Sequence, residues 1–453
     1  MKKQLLIVFV LFYSILGFSQ GIEFEHGTWK EVLEKAKLTS KPIFIDVYTS
    51  WCGPCRKMNA EVFPLEEVGK VFNANFICYK INAEEGEGIE IAKKYGVTAF
   101  PTYLYLNPEG VLFFRGLGYM VASRFIAQSQ TALPEMLDKK SIDDWKNEYH
   151  DKKNDTTFLT SYIGKCSKLD LPVDTIFDEY LQLLSETERY KPAIAKMYEH
   201  LYIEKRLSMS VTSTGYKNIE KHIKEFEKLF ENKAYVNTFL VNGIYHSIYE
   251  AGLTKNEKLF QEVIKSYDSL PKDNSDLFKD ELYMRYYSLS GEMIEYIPYA
   301  IRFTNEHLMK ITNDEMEQKG KAYLQDFENK IKSGEVDTTK VDATKLAFTR
   351  VFWKNYEMNR VSERLNSIAW KIFLDISDQN ALKEALNWSN RSLELSPNSS
   401  TFLDTNANLL YKLGKKEMAI SKEKEALKYV DKKNSKEYEE TLVKIQAGEK
   451  TWN

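Results

Sequence analysis

The chain has 453 residues, is 43% hydrophobic and 28% charged, and carries a formal net charge of −3. Its length accommodates about two to four domains, and its composition is that of a soluble, well-packed protein. The near-neutral balance excludes a dedicated nucleic-acid binder, which carries a basic excess.

At the N-terminus, Lys2 and Lys3 precede an apolar run from Leu5 to Phe18. Gly17 and Ser19 then place small residues at positions −3 and −1 of a cleavage after Ser19. That layout reads as a signal peptide over residues 1–19, and the run is short for a bilayer span. The mature protein is expected to begin at Gln20 or Gly21 and to be periplasmic or secreted; an uncleaved N-terminal anchor is the alternative.

A short strand is expected near Ile22–Phe24. Trp29, Val32, Leu33 and Ala36 then repeat at helical spacing, and Pro42 ends that helix. The β-branched and aromatic run Ile43–Tyr48 suits a central strand buried on both faces. Next come Trp51-Cys52-Gly53-Pro54-Cys55 and a helix running through Met58 and beyond. Phe76–Ile81 reads as a strand, Ile89–Tyr95 as a helix stopped by Gly96, and Thr102–Leu106 and Val111–Arg115 as strands joined by the turn residues Asn107-Pro108-Glu109-Gly110. A last helix covers Ala122–Leu137. Strands separated by helices demand parallel crossovers, and the closing hairpin adds antiparallel strands. The expected fold of residues 20–140 is therefore α/β, a central mixed sheet flanked by helices.

From residue 141 the pattern turns all-helical, as in Ile219, Ile223, Phe226, Leu229 and Phe230 on one amphipathic face. Residues 141–345 show helices without a defined repeat register, with a break at Lys332-Ser333-Gly334-Glu335. Within 346–453, Ala407, Gly414, Ala419 and Ala426 fall at the small-residue offsets of a tetratricopeptide unit. Ala385 and Ser392 lie 34 residues earlier than the last two, with Pro397 at the closing position. The units run over roughly 366–399 and 400–433. Such helices form a concave surface for a protein partner; bracing of the N-terminal domain is an equal reading.

Four cysteines are too few to staple a chain of this size. Cys78 lies in an apolar stretch and reads as a buried small hydrophobe, with a Cys78–Cys166 bridge as the lesser alternative. Zinc at Cys52 and Cys55 would require two further ligands in a sensible array; the six histidines are scattered, so no metal and no cofactor is expected. Two intervening residues at a helix start let the sulfurs bond while leaving the first cysteine exposed. Unpaired N–H groups at the helix N-terminus stabilise a Cys52 thiolate, lowering its pKa from about 8.5 toward neutrality. Cys55, one turn inside, then resolves the mixed disulfide. Arg56 and Lys57 read as a solvated helix face.

These residues resemble the thioredoxin superfamily over 28–137. Asp46, in Ile43-Phe44-Ile45-Asp46, matches the family's buried carboxylate, and the resemblance implies that it relays the proton of Cys55. Lys80, in Tyr79-Lys80-Ile81-Asn82, matches the lysine that pairs with it. Phe100-Pro101-Thr102 matches the cis-proline loop. The resemblance thus implies catalytic roles for Cys52, Cys55, Asp46 and Lys80, and a client-binding rim of Trp51, Gly53, Pro54, Phe100 and Pro101. The family's kink proline, five residues after the second cysteine, is replaced by Ala60, while Pro64 comes later. In this respect the domain resembles secreted thioredoxin-like domains such as the C-terminal domain of the membrane electron transporter DsbD. The expected activity is reduction or isomerisation of protein disulfides, with disulfide-bearing clients and a membrane electron donor as partners and no nucleic acid. The other reading is a helical-repeat interaction protein whose redox pair is a switch or scaffold.

Overall fold

A computed structural model describes residues 21–138, 140–203, 207–270, 278–334, 336, 338 and 342–452. The expected signal peptide lies outside these residues. Five strands, β1 (Phe24–Glu25), β2 (Ile43–Tyr48), β3 (Ile77–Asn82), β4 (Thr102–Leu106) and β5 (Leu112–Leu117), form one sheet in the order β1-β3-β2-β4-β5. β3 runs parallel to β1 and β2, while β4 is antiparallel to β2 and β5. Around it lie α1 (Trp29–Thr39), α2 (Gly53–Glu61), α3 (Glu66–Asn75), α4 (Glu87–Lys94) and α5 (Ala122–Glu135).

Alternation along β2 sorts its side chains between two cores. Ile43, Ile45 and Val47 pack with Val32 and Ala36 of α1 and Ile91 and Ala92 of α4. Phe44 enters the opposite core with Met58 of α2, Val68 and Phe72 of α3, and Phe125 of α5. Asp46 shares the parity of Phe44, so the pleat aims a carboxylate beneath α2. At the β4–β5 turn, Asn107 Oδ1 accepts from the N–H groups of Glu109 and Val111 at 3.1 and 2.8 Å. Gly110 takes φ 81° there, a region costly to residues with a Cβ.

The helix expected to run through Met58 and beyond ends at Glu61, and a second helix, α3, follows it. Val62 and Phe63 turn inward, buried, and both of their N–H groups bond to the Met58 carbonyl. Pro64 supplies no N–H to continue the ladder and disfavours helical φ/ψ in the residue before it. Leu65 is extended and starts α3. The Phe63 carbonyl accepts from Ile22 N–H, and its ring meets Phe24 at 5.5 Å. The break thus ties the N-terminal strand to the sheet.

The first compact unit spans residues up to 209 and 213–236. It comprises the sheet domain together with α6 (Ile142–Lys152), α7 (Thr156–Lys168), α8 (Asp174–Leu183), α9 (Pro192–Ile203), α10 (Thr214–Lys221) and α11 (Ile223–Leu229). The amphipathic stretch expected as one helix is split at His222, with Ile219 and Phe226 buried on either side. Helix α7 is joined to α5 and its exit by Lys165–Asp138 and Lys168–Glu135 ion pairs at 2.8 and 2.7 Å. A cavity lined by Asn107, Leu112, Phe113, Met136, Lys140 and Lys165 lies beside this contact. Because β4 runs toward Asn107, which lines this cavity with Leu112 and Lys165, α7 meets the sheet at the end away from Cys52. Cys78 and Cys166 are both free and buried, so no bridge joins them. Burial pushes the Cys166 thiol up to about 11 and the Cys78 thiol higher.

The second unit spans 210–212 and 237–453. Its helices are α12 (Ala234–Thr254, which begins in the first unit), α13 (Glu257–Ser269), α14 (Lys279–Ser290), α15 (Met293–Phe303), α16 (Asn313–Lys332), α17 (Ala343–Lys354), α18 (Tyr356–Asp375), α19 (Gln379–Leu395), α20 (Ser400–Lys412), α21 (Lys416–Tyr429) and α22 (Ser435–Ala447). Helix pairs α18–α19 and α20–α21 are tetratricopeptide-like. Ala385, Ser392, Ala407, Ala419 and Ala426 are all fully buried, as close helix crossings require. Gly414 serves differently: it is exposed, at φ 78°, in the turn after α20. Among the described residues no helix is long and apolar enough to cross a membrane.

The aromatic core under α2 is the critical packing element of the sheet domain. Phe125 is fully buried, stacked on Phe72 at 4.5 Å and touching Phe44, Phe63 and Tyr103. Phe125→Ala should lose about 3–5 kcal/mol in denaturant unfolding. Leu38→Ala, at a side chain 87% exposed, should change stability by no more than about 0.5 kcal/mol.

Candidate active site

Strand β2 delivers the chain to the site, and α2 leaves it. Cys52 is the N-cap of α2, with Pro54 in the first turn, where its missing N–H costs nothing. Cys52 and Cys55 are joined as a disulfide with Cα atoms 5.3 Å apart. The Cys52 Sγ also accepts from the Cys55 N–H at 3.1 Å. This bonding draws the first sulfur into the helix turn: Cys52 is only 3% exposed, not the open cysteine expected from spacing. Gly53 and Pro54 are exposed beside it.

The Phe100–Pro101 bond is cis. Its loop is held by the Pro101 carbonyl, which accepts from Gly118 N–H at 2.8 Å, and by Thr102 Oγ1, which donates to Ala99 O at 2.7 Å. The Phe100 ring meets Trp51 edge-on at 5.9 Å. Trp51 is 63% exposed, and its Nε1–H donates to the Glu84 carboxylate at 3.0 and 3.1 Å. Arg56 donates to the Ser50 carbonyl, while Lys57 sits 4.1 Å over the Tyr119 ring.

Beneath α2, Asp46 is directly opposite Lys80 in the parallel register and Tyr103 in the antiparallel one. Lys80 Nζ lies 3.0 Å from Asp46 Oδ2. It also donates to Asn59 Oδ1 and is surrounded by the Tyr48, Phe63 and Phe24 rings at 4.8, 5.1 and 5.5 Å. Asp46 Oδ1 is buried with no hydrogen-bond partner. Burial raises the Asp46 carboxyl above its ordinary value, and the Lys80 charge and hydrogen bond offset only part of that. An ion pair and a raised carboxyl coexist because desolvation outweighs one partly exposed cation. Burial, assisted by Asp46, likewise raises the Tyr103 phenol.

The structure thus gathers Cys52 with Cys55, Asp46 with Lys80, and Trp51 with Phe100. Two residues escaped the sequence reading. Asn59 was detectable in principle, since it follows Cys55 by one helical turn (59 − 55 = 4). Glu84 was not, because its contact with Trp51 bridges 33 residues. Among the described residues no group of histidine, cysteine, aspartate or glutamate is arranged to hold a metal ion.

Residues 29–132 match the family model of a thioredoxin-like domain. Thioredoxin H4 of Arabidopsis thaliana is 38% identical over 87 residues, covering 19% of this chain and 69% of that protein. A chloroplastic M-type thioredoxin of Pisum sativum is 38% identical over 81 residues, covering 18% of this chain and 42% of the relative. A protein disulfide-isomerase of Schizosaccharomyces pombe is 31% identical over 106 residues, 23% of this chain and 27% of the relative. The chain therefore spans less than half the length of the last two.

The raised Asp46 carboxyl has a consequence for stability. The folded protein holds this proton more tightly than the unfolded chain, whose carboxyl titrates near 3.8. Below about pH 3 the group is neutral in both states and burial of charge costs nothing; as pH rises through the folded value, the cost appears. Oxidised Asp46→Asn should therefore melt higher than the parent at about pH 8 and alongside it at about pH 3. A lower melting temperature for the variant at the higher pH would mean that the Lys80 bridge outweighs desolvation.

Proposed function

Because this chain belongs to the thioredoxin family, we propose that it is a secreted or periplasmic thiol–disulfide oxidoreductase that reduces or isomerises protein disulfides through Cys52 and Cys55. The observation that carries this reading is a disulfide seated at the start of α2, on the sheet face that buries Asp46 against Lys80. In the reduced protein the Cys52 thiolate, stabilised by the N-terminal N–H groups of α2, attacks a client sulfur and forms a mixed disulfide. Cys55 then attacks Cys52, closes the internal disulfide and releases the client thiolate. Trp51 and Phe100 flank the client, and the backbone beside Pro101 receives its chain.

The Gly-Pro spacer favours a reductant. Reducing thioredoxins lie near −270 mV and the oxidant DsbA near −120 mV, a gap of roughly 7 kcal/mol for two electrons. The compartment reached by a signal peptide is oxidising, so the reduced form would be renewed by a membrane electron donor. The helical repeats would select clients. A second reading is supported by those same repeats: a partner-binding protein in which the redox pair is a switch or scaffold.

The purified protein is expected to reduce insulin with dithiothreitol as donor, and Cys52→Ser to abolish this; absence of insulin reduction in the parent would sink the reading. Its potential should fall below about −200 mV, whereas a value above about −150 mV would make it an oxidase. Cys55→Ser should accumulate mixed disulfides through Cys52. Capture of a partner by the helices without any such adducts would favour the second reading.

A further inference from the structure

We propose that Asn59 is a positioning residue of the exchange site, whose side-chain carbonyl holds the Lys80 ammonium against Asp46 and so governs how readily that carboxylate takes the proton of Cys55. The inference rests on the oxidoreductase reading above. It begins with what Lys80 can reach. Of the three N–H donors of an ammonium, one points to Asp46 Oδ2 and another to Asn59 Oδ1. Three aromatic rings enclose the rest of the group, an arrangement that attracts a cation without fixing its direction. The Lys80 side chain is 21% exposed, so its flexible stem has an open route to solvent. Asn59 is the anchor at that rim.

The location of Asn59 gives it this role. It stands on α2 one turn beyond Cys55, so the helix that presents the resolving thiol also presents the acceptor that restrains Lys80. Among the described residues the Lys80 ammonium has Asp46 and Asn59 as its side-chain acceptors. The titratable groups facing Asp46 across the sheet are Lys80 on β3 and Tyr103 on β4, and Tyr48 of β2 lies against the Lys80 ammonium. Lys80 favours the charged form of the carboxyl, and burial opposes it. Restraining this one cation therefore sets the balance.

In the resolving step the Cys55 S–H proton passes to Asp46, the new thiolate attacks the Cys52 sulfur, and the Cys52–client bond breaks as the Cys52–Cys55 bond forms. The enzyme dithiol supplies two electrons, and the client sulfur leaves as a thiolate that solvent protonates. Without the Asn59 carbonyl, Lys80 swings outward and Asp46 ionises less readily. The step then requires a higher pH.

The test uses reduced full-length protein and 5,5′-dithiobis(2-nitrobenzoate). Attack by Cys52 releases the first thionitrobenzoate, and resolution by Cys55 releases the second. Asn59→Ala, an exposed helical site where alanine is well tolerated, should move the pH midpoint of the second release upward by about half a unit or more. The first release should scarcely change. In a Lys80→Met background the same substitution should add nothing, because its effect runs through the ammonium. An unmoved midpoint, a shift to lower pH, or a full shift retained in the Lys80→Met background would each overturn the proposal. A parent protein that releases no second thionitrobenzoate would instead overturn the oxidoreductase reading.

Discussion

A carboxylate buried among aromatic rings is the constraint around which the sheet domain is arranged. Asp46 occupies a core-facing position of β2 that packing alone would fill with another Phe44. Removing an ion from water costs several kcal/mol even after relaxation, and a single cation from the neighbouring strand offsets part of it. The parallel register sets Lys80 opposite. Aromatic side chains from β1, β2 and the segment after α2 then wall in the ammonium. Even the break between α2 and α3 participates, because turning Phe63 inward supplies one of those walls.

The buried β2 run and the closing hairpin could be read from local pattern, and Asp46 from its match to the family's buried carboxylate. What was not legible depended on contacts distant in sequence. The helix after Cys55 breaks because Val62 and Phe63 are more valuable inside, a gain visible only once Phe24 and Phe125 are in place. His222 divides a stretch whose apolar spacing suits one helix, and tertiary packing overrides the local pattern. Gly414 was counted among packing residues because its offset fits the repeat, yet its backbone conformation makes it the turn. The Trp51 rim matched the family, but the carboxylate that holds its indole comes from a loop with no distinguishing spacing.

Burial of small side chains at Ala385, Ser392, Ala407, Ala419 and Ala426 makes the C-terminal pairs a repeat in the physical sense. At these positions the side chain is no larger than a hydroxymethyl group, which lets neighbouring helices approach closely. Stability in such arrays is carried by neighbour-to-neighbour interfaces. The sheet domain, by contrast, depends on long-range strand pairs and two distinct cores. The chain thus combines two modes of cohesion.

The docking of α7 at the hairpin end of the sheet leaves the opposite end to the exchange site. Within the first unit, the rim formed by Trp51, Phe100 and Pro101 has this helix at the opposite pole. On the proposed reading, any discrimination exerted by the rim would rest on Trp51, Phe100 and Pro101 and not on α7.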